Sequence, residues 1–279
     1  NQCSMDESKG YFRIATTIGH VSREGSGSTN NVYILDAALN ITGRLEGLAE
    51  GERIYSARFV GDRAYLVTFK KVDPFFVLDL SNPSHPEVLG ALKIPGYSDY
   101  LHPYDENHVI GVGKNTVEAD SMQGDFAWYQ GIKMALFDVT DVSDPKEMHK
   151  IVIGDRGTES NALRDHKAFL FDRDRNLLVL PIQLAELPPE QKESGPAKGS
   201  QCGEFTYQGA YIYDLSIGGG FDLKGRVTHM DSPKELSDND YYYYSDNYVK
   251  RSLYIENTLY TISQAKVKAN SLNDLEEQA

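Results

Sequence analysis

The chain has 279 residues, 40% of them hydrophobic and 25% charged, which suffices to bury a sizeable core and excludes a largely disordered tract. A formal charge of −13 and a pI near 5.0 oppose phosphate backbones and anionic lipid heads, so nucleic acid is not an expected partner. No apolar run approaches the roughly 20 residues that span a bilayer, so membrane insertion is not expected either. The 18 Tyr and 11 Phe, with many β-branched residues, favour pleated strands, while 24 Gly and 11 Pro supply turns, and the fold class expected is all-β.

In chain order, Asn1 to Glu7 reads as a first strand and Tyr11 to Thr17 as a second. Tyr33-Ile34-Leu35-Asp36 then closes a third strand on an aspartate. Ala57 to Val60 and Ala64 to Val67 pair around Gly61-Asp62 and lead into Phe76-Val77-Leu78-Asp79-Leu80-Ser81-Asn82-Pro83. After a further pair begun by Tyr104 to Ile110, that string recurs as Leu136-Phe137-Asp138-Val139-Thr140-Asp141-Val142-Ser143-Asp144-Pro145. A degenerate copy, Tyr211 to Ser216, follows the pair at Phe169 to Val179, and Ser252 to Ile255 with Leu259 to Ile262 opens a last unit.

Each unit is four antiparallel strands, and one such unit cannot bury both of its faces, so neighbours must stack around an axis. The expected architecture is a β-propeller of about five four-stranded blades in a single domain, near residues 1–47, 52–94, 97–153, 160–229 and 248–279. A β-sandwich would not require the same unit to recur. The strand-closing Asp36, Asp79 and Asp138 are expected to accept the backbone N–H two residues on, which fixes the turn and gives them no part in catalysis.

Several strings in the right order, namely Tyr11 to Thr17, Gly51 to Phe59, Leu92 to Pro103, Asp165 to Leu170 and Arg251 to Ile255, carry a family resemblance. The chain resembles the secreted β-propeller proteins of bacteria and archaea that are distantly related to WD repeats, and the resemblance runs essentially end to end. It implies an extracellular or cell-surface location but brings no agreed reaction and no catalytic residues. Members are usually longer, so the chain reads as the C-terminal part of a larger propeller, with N-terminal blades of the same protein as its neighbours. A short or missing outer strand is expected in the last blade. Cys3 stands where the family string has Phe; with Cys202 it forms a disulfide candidate in a secreted chain, two unrelated thiols being the alternative.

Successive strands alternate direction, which puts second-to-third and fourth-to-first connections on one face. The longest segments fall there: His20 to Asn30, Thr116 to Gln130, Gly154 to Arg164, Leu187 to Tyr207 and Asp231 to Asn247. Concentrated long loops indicate a binding face. Within them Trp128, Tyr129, Tyr241, Tyr242, Tyr243 and Tyr244, beside Asp125, Asp238 and Asp240, suit sugars, cationic groups or a protein partner.

First strands line the channel and carry Arg58, Asp99, His102, Asp165, His166, Lys167 and Arg251. The expectation is a hydrated polar channel that ties blades together, in a binding or scaffold module for a protein or cell-surface glycan. The alternative is a hydrolase or lyase in which His102 or His166 acts as general acid or base, oriented by Asp99 or Asp165, while Arg58 and Arg251 stabilise an anion. No cofactor is expected. The one Ca2+ candidate, Asp172 to Asn176, lacks the Gly and Glu of an EF-hand loop and reads as a hairpin turn.

Overall fold

The computed structural model describes residues 3–20, 27–69, 73–94, 96–118, 127–193, 199–232 and 245–279. Nineteen strands among them form five antiparallel sheets, each a meander in chain order. The first holds β1 (Met5–Ser8), β2 (Tyr11–Gly19), β3 (Ser28–Leu35) and β4 (Ile41–Leu48); the second holds β5 (Arg53–Val60), β6 (Arg63–Phe69), β7 (Asp73–Asp79) and β8 (Glu87–Ile94). The third holds β9 (Tyr97–Pro103), β10 (His108–Glu118), β11 (Ala127–Asp138) and β12 (Lys146–Ile153). The fourth holds β13 (Leu170–Asp172), β14 (Leu177–Glu186), β15 (Glu204–Ser216) and β16 (Gly220–Val227). The fifth has three strands, β17 (Arg251–Ile255), β18 (Thr258–Ile262) and β19 (Val267–Ser271), and Glu277 returns beside β19 through a single bridge to Asn270.

The chain divides into two compact units, Asn1–Tyr129 with Lys133–Met148, and Gln130–Ile132 with His149–Ala279. In the first, Ala15, Val32 and Ile34 pack with Leu66 and Leu78, while Phe75 stacks on Tyr65 and on Phe137 with ring centroids 5.8 and 4.8 Å apart. In the second, Val179, Ile212, Val249 and Leu259 form one cluster. Middle strands are buried on both faces, which explains why their sequences run continuously apolar where a half-exposed strand would alternate.

The strand-closing aspartates act as expected. Oδ1 of Asp36 accepts from the backbone N–H of Ala38 at 2.9 Å, that of Asp79 from Ser81 at 2.7 Å and that of Asp138 from Thr140 at 2.8 Å. These turns are then received by the fourth strand of the preceding sheet. A Cβ on Gly43 of β4 would lie 2.1 Å from the carbonyl oxygen of Pro83, and one on Gly90 of β8 would lie 2.1 Å from that of Val142. In the second unit His149 of β12 bonds the carbonyl oxygen of Ile217 at 2.7 Å, and Gly225 of β16 faces Leu275, whose Cδ1 a Cβ would meet at 2.6 Å.

The fourth sheet departs from the expected pattern at its first strand. Asp165, His166 and Lys167 were expected on a strand; instead Asn161–Leu163 and His166–Ala168 form 3-10 turns, and β13 begins only at Leu170. Asp165 starts the second turn as its N-cap, accepting from the backbone N–H of Lys167 at 3.0 Å, and a side chain so used favours a turn over continued extension. Residues Leu180 to Glu186 of β14 are therefore bordered not by β13 but by the segment Asp155 to Ser160, which bridges Gln183 through Glu159 and bonds Ala185 through Asp155 and Thr158 and the Pro181 carbonyl through Ser160; Pro181 itself has no N–H to donate.

His229, fully buried after β16, bonds Ser263 Oγ at 2.9 Å through Nδ1 and Thr261 Oγ1 at 2.8 Å through Nε2. Burial, and then the charges of Lys268 and Lys266, push its pKa down from 6.5 to about 4. Between those values the unfolded chain binds the proton more readily, so this contribution to stability is complete above pH 6.5 and is lost as pH falls toward 4. Melting curves should fall across that window, and His229→Gln should flatten the fall; an unchanged pH slope in that variant would remove the assignment.

The sheet-to-turn contact makes its own prediction. Gly90→Ala should cost about 1–3 kcal/mol, lowering Tm by roughly 2–4 °C for each kcal/mol in a protein of this size. Gly218→Ala, where a Cβ meets nothing within 4 Å, should stay within about 0.5 kcal/mol. Equal melting temperatures for the two variants would show that the contact does not constrain the fold.

Candidate functional site

Two first strands carry a β-bulge, and both bulges aim a side chain toward one cluster. Pairing of β5 with β6 passes from Ile54–Thr68 to Ser56–Val67, leaving Tyr55 as the extra residue. Pairing of β9 with β10 passes from Ser98–Gly113 to Tyr100–Val112, leaving Asp99. The second bulge needs glycine opposite it, since a Cβ on Gly113 would lie 1.8 Å from the carbonyl oxygen of Tyr97. A bulged residue escapes the ladder and is turned away from the regular alternation.

Tyr55 stands edge-on to Phe69 at 5.6 Å between centroids and against Tyr97 at 4.5 Å. Tyr129 packs on Tyr97 at 5.2 Å and on Phe69 at 6.1 Å, and its hydroxyl lies 3.2 Å from that of Tyr55. Arg53 stacks 4.6 Å over the Tyr55 ring and donates from Nη2 to its hydroxyl at 3.0 Å. Phe69 and Tyr97 are buried and form the floor, while Tyr129 keeps 39% of its surface exposed. Burial, then the bond with Tyr55, and lastly the nearby charge of Asp99 raise the Tyr129 phenol well above its ordinary pKa. The result is a rigid aromatic platform edged by a cation and an acid, placed where β5 and β9 begin and β6 ends.

Three residues after each bulge come Arg58 and His102, and these meet in a second cluster. Tyr100 Oη lies 2.8 Å from His102 Nδ1, and Arg58 Nη1 donates to Cys3 Sγ at 3.5 Å. Burial, reinforced by the positive charge of Arg58, pushes His102 down to about 4, so the ring is neutral at pH 7 and a weak base. In the enzyme alternative Asp99 or Asp165 would orient the histidine; the bulge puts the charge of Asp99 beside Tyr129, and Tyr100 neighbours the His102 ring.

The remaining candidate residues distribute as follows. Asp165 pairs with Arg251 at 2.7 Å, and its carboxyl is held below its usual value by the Lys167 N–H and by Arg251. His166 sits in the 3-10 turn that Asp165 caps. Trp128 and Tyr129 were expected in a loop but lie on β11, because that strand starts at Ala127. Tyr241, Tyr242, Tyr243 and Tyr244, with Asp125, Asp238 and Asp240, lie outside the described residues. Asp172 caps its hairpin by accepting from Arg175 N–H and from the Tyr254 hydroxyl, with Arg175 stacked 4.9 Å over Tyr254. Among the described residues no three His, Cys, Asp or Glu side chains converge as a metal site would require.

Cys3 lies in the first compact unit and Cys202 in the second. Cys3 is half-buried ahead of β1 with its sulfur turned to Arg58, and Cys202 is exposed ahead of β15.

The sequence did not single out Arg53, Tyr55, Phe69 or Tyr97. A signal was present in Arg53-Ile54-Tyr55-Ser56, where Ile54 and Tyr55 stand side by side and break the alternation of a regular strand.

The family described as Beta propeller domain matches residues 1–275. The chain belongs to that family. Two relatives of this β-propeller are archaeal: it is 48% identical over 181 residues to an uncharacterized protein of Methanocaldococcus jannaschii, a match covering 65% of this chain and 27% of that protein. It is 41% identical over 181 residues to an uncharacterized protein of Archaeoglobus fulgidus, covering 65% of this chain and 26% of the relative. The matched stretch thus spans about a quarter of the length of each curated relative. Among solved structures, acylaminoacyl peptidase of Pyrococcus horikoshii is similar at 11% identity with a TM-score of 0.47, over 98% of this chain and 38% of that one.

In this propeller both thiols should alkylate with iodoacetamide in the absence of reductant, Cys202 faster because it is exposed. Non-reducing peptide mapping checks this, and a Cys3–Cys202 linked peptide would overturn it.

Proposed function

We propose that this β-propeller is an extracytoplasmic binding module and that its ligand is a cell-surface glycan held by Arg53, Tyr55, Asp99 and Tyr129. The observation that carries the reading is the platform itself: two tyrosines over a buried aromatic floor, flanked by a guanidinium and a carboxylate. Sugar rings present apolar C–H faces that stack on aromatic rings and hydroxyls that bond to charged side chains. The platform lies at the sheet ends from which the long connections leave, and loops on a rigid frame are where binding groups concentrate. Secretion and a distant kinship to WD repeats are part of this reading; they rest on the resemblance of the strings from Tyr11 to Ile255.

A hydrolase or lyase working through His102 has less support. A ring with a pKa near 4, neighboured by Tyr100 and Arg58, is poorly matched to proton transfer at neutral pH.

A glycan array followed by calorimetry on the selected sugar tests the proposal. Tyr129→Ala and Arg53→Ala should each weaken binding roughly tenfold with little change in Tm, and His102→Ala should leave affinity unchanged. Undiminished binding in both platform variants would refute the site, and turnover of a glycan lost in His102→Ala would replace the module with an enzyme.

A further inference from the structure

Where β13 has not yet begun, the turn Glu159 to Arg164 runs beside β14 in place of a strand, and a cavity of about 280 Å3 opens there, closed on its other side by Tyr248 to Lys250. At about 30 Å3 per water this is room for roughly nine waters, the scale of one sugar ring.

Its walls are tied together by hydrogen bonds. Gln208 donates from Nε2 to the Val249 carbonyl at 2.9 Å and accepts the Val249 N–H at Oε1 at 2.9 Å, while Ser160 Oγ donates to the Pro181 carbonyl at 2.6 Å. Those groups are consumed by the fold, and the lining also carries the polar side chains of Glu159, Asn161, Arg164, Gln183 and Lys250. The two cations are held loosely: Arg164 Nη2 is 3.6 Å from Glu159 Oε2, beyond hydrogen-bond reach, and Lys250 Nζ is 3.4 Å from Gln264 Oε1. Two cations against one carboxylate leave this lining net positive in a chain of charge −13.

The geometry points to a binding site for a sugar acid, a single polyhydroxylated ring carrying a carboxylate. Arg164 and Lys250 take the carboxylate through charge-assisted bonds, Glu159 accepts ring hydroxyls, and the amides of Asn161 and Gln183 both donate and accept. A neutral hexose gains nothing from the cations, and a bare carboxylate such as acetate does not reach the amide wall. All of these residues belong to the unit His149–Ala279, so the site stands independently of the platform.

Calorimetry of the full chain with D-glucuronate, D-glucose and acetate tests it. Glucuronate should bind saturably, with glucose and acetate each at least tenfold weaker. Arg164→Gln and Lys250→Gln should each weaken glucuronate roughly tenfold, while Tyr129→Ala leaves it unaltered, separating this site from the platform. Arg164 is largely exposed, so its variant should melt with the parent. No saturable glucuronate binding, equal binding of glucose or acetate, or full affinity in both charge variants would overturn the assignment.

Discussion

The fold depends on a backbone contact between neighbouring sheets: the turn that ends one sheet's third strand rests on the fourth strand of the sheet before it. At Gly43 and Gly90 the approach leaves no room for a side chain, because a Cβ would lie 2.1 Å from a carbonyl oxygen of that turn. The geometry can repeat only if the turn holds one shape, and the aspartate side chain provides this by bonding the N–H two residues on. The position lies eleven residues after the closing aspartate in three sheets, at Gly90, His149 and Gly225. His149 replaces close approach with a hydrogen bond to Ile217, so the same place in the repeat is filled by a different force.

Against that regular frame, chemistry collects where the repeat is broken. Bulges in β5 and β9 release Tyr55 and Asp99 to the platform and, three residues later, leave Arg58 and His102 near one another. Truncation of β13 opens the cavity beside β14. Each irregularity removes a ladder contact and in exchange gives a side chain a direction that a regular strand forbids. Bulges also occur in fourth strands, at Leu89 and Lys224, which like the first have only one neighbour in their own sheet, but the first strands are the ones whose bulges feed the platform.

This explains what the sequence could and could not disclose. Strands and turns were legible because their causes are local: an apolar run buried on both faces, then an aspartate that closes its own turn. Arg58, His102, Tyr129 and Arg251 could be named as polar or aromatic candidates, yet their partners could not. Asp99 is two strand positions from Leu101 in sequence, but whether it faces His102 or Tyr129 depends on a skipped pairing with Gly113 on another strand. The string Asp165 to Leu170 failed for a similar reason. It reads as a strand until Asp165 is seen to cap a turn and hold Arg251, a residue far along the chain.

Charge placement separates frame from site once more. Pairs such as Lys9–Asp62 and Lys146–Asp144 are exposed on both sides and contribute little to stability. Among the cations of the candidate sites, Arg53 lies on Tyr55, Arg58 points to Cys3 near His102 and Lys250 reaches an amide, while Arg164 stands 3.6 Å from the Glu159 carboxylate. In a chain with 41 acidic residues against 28 basic ones, carboxylates are abundant, and a cation set instead against a ring, a thiol or an amide keeps most of its field. At Arg53, Arg58 and Lys250 a ligand that brings its own negative charge or hydroxyls meets that field without first displacing a protein carboxylate, so the local surroundings of a few cations, more than the acidic balance of the whole, govern what the molecule can bind.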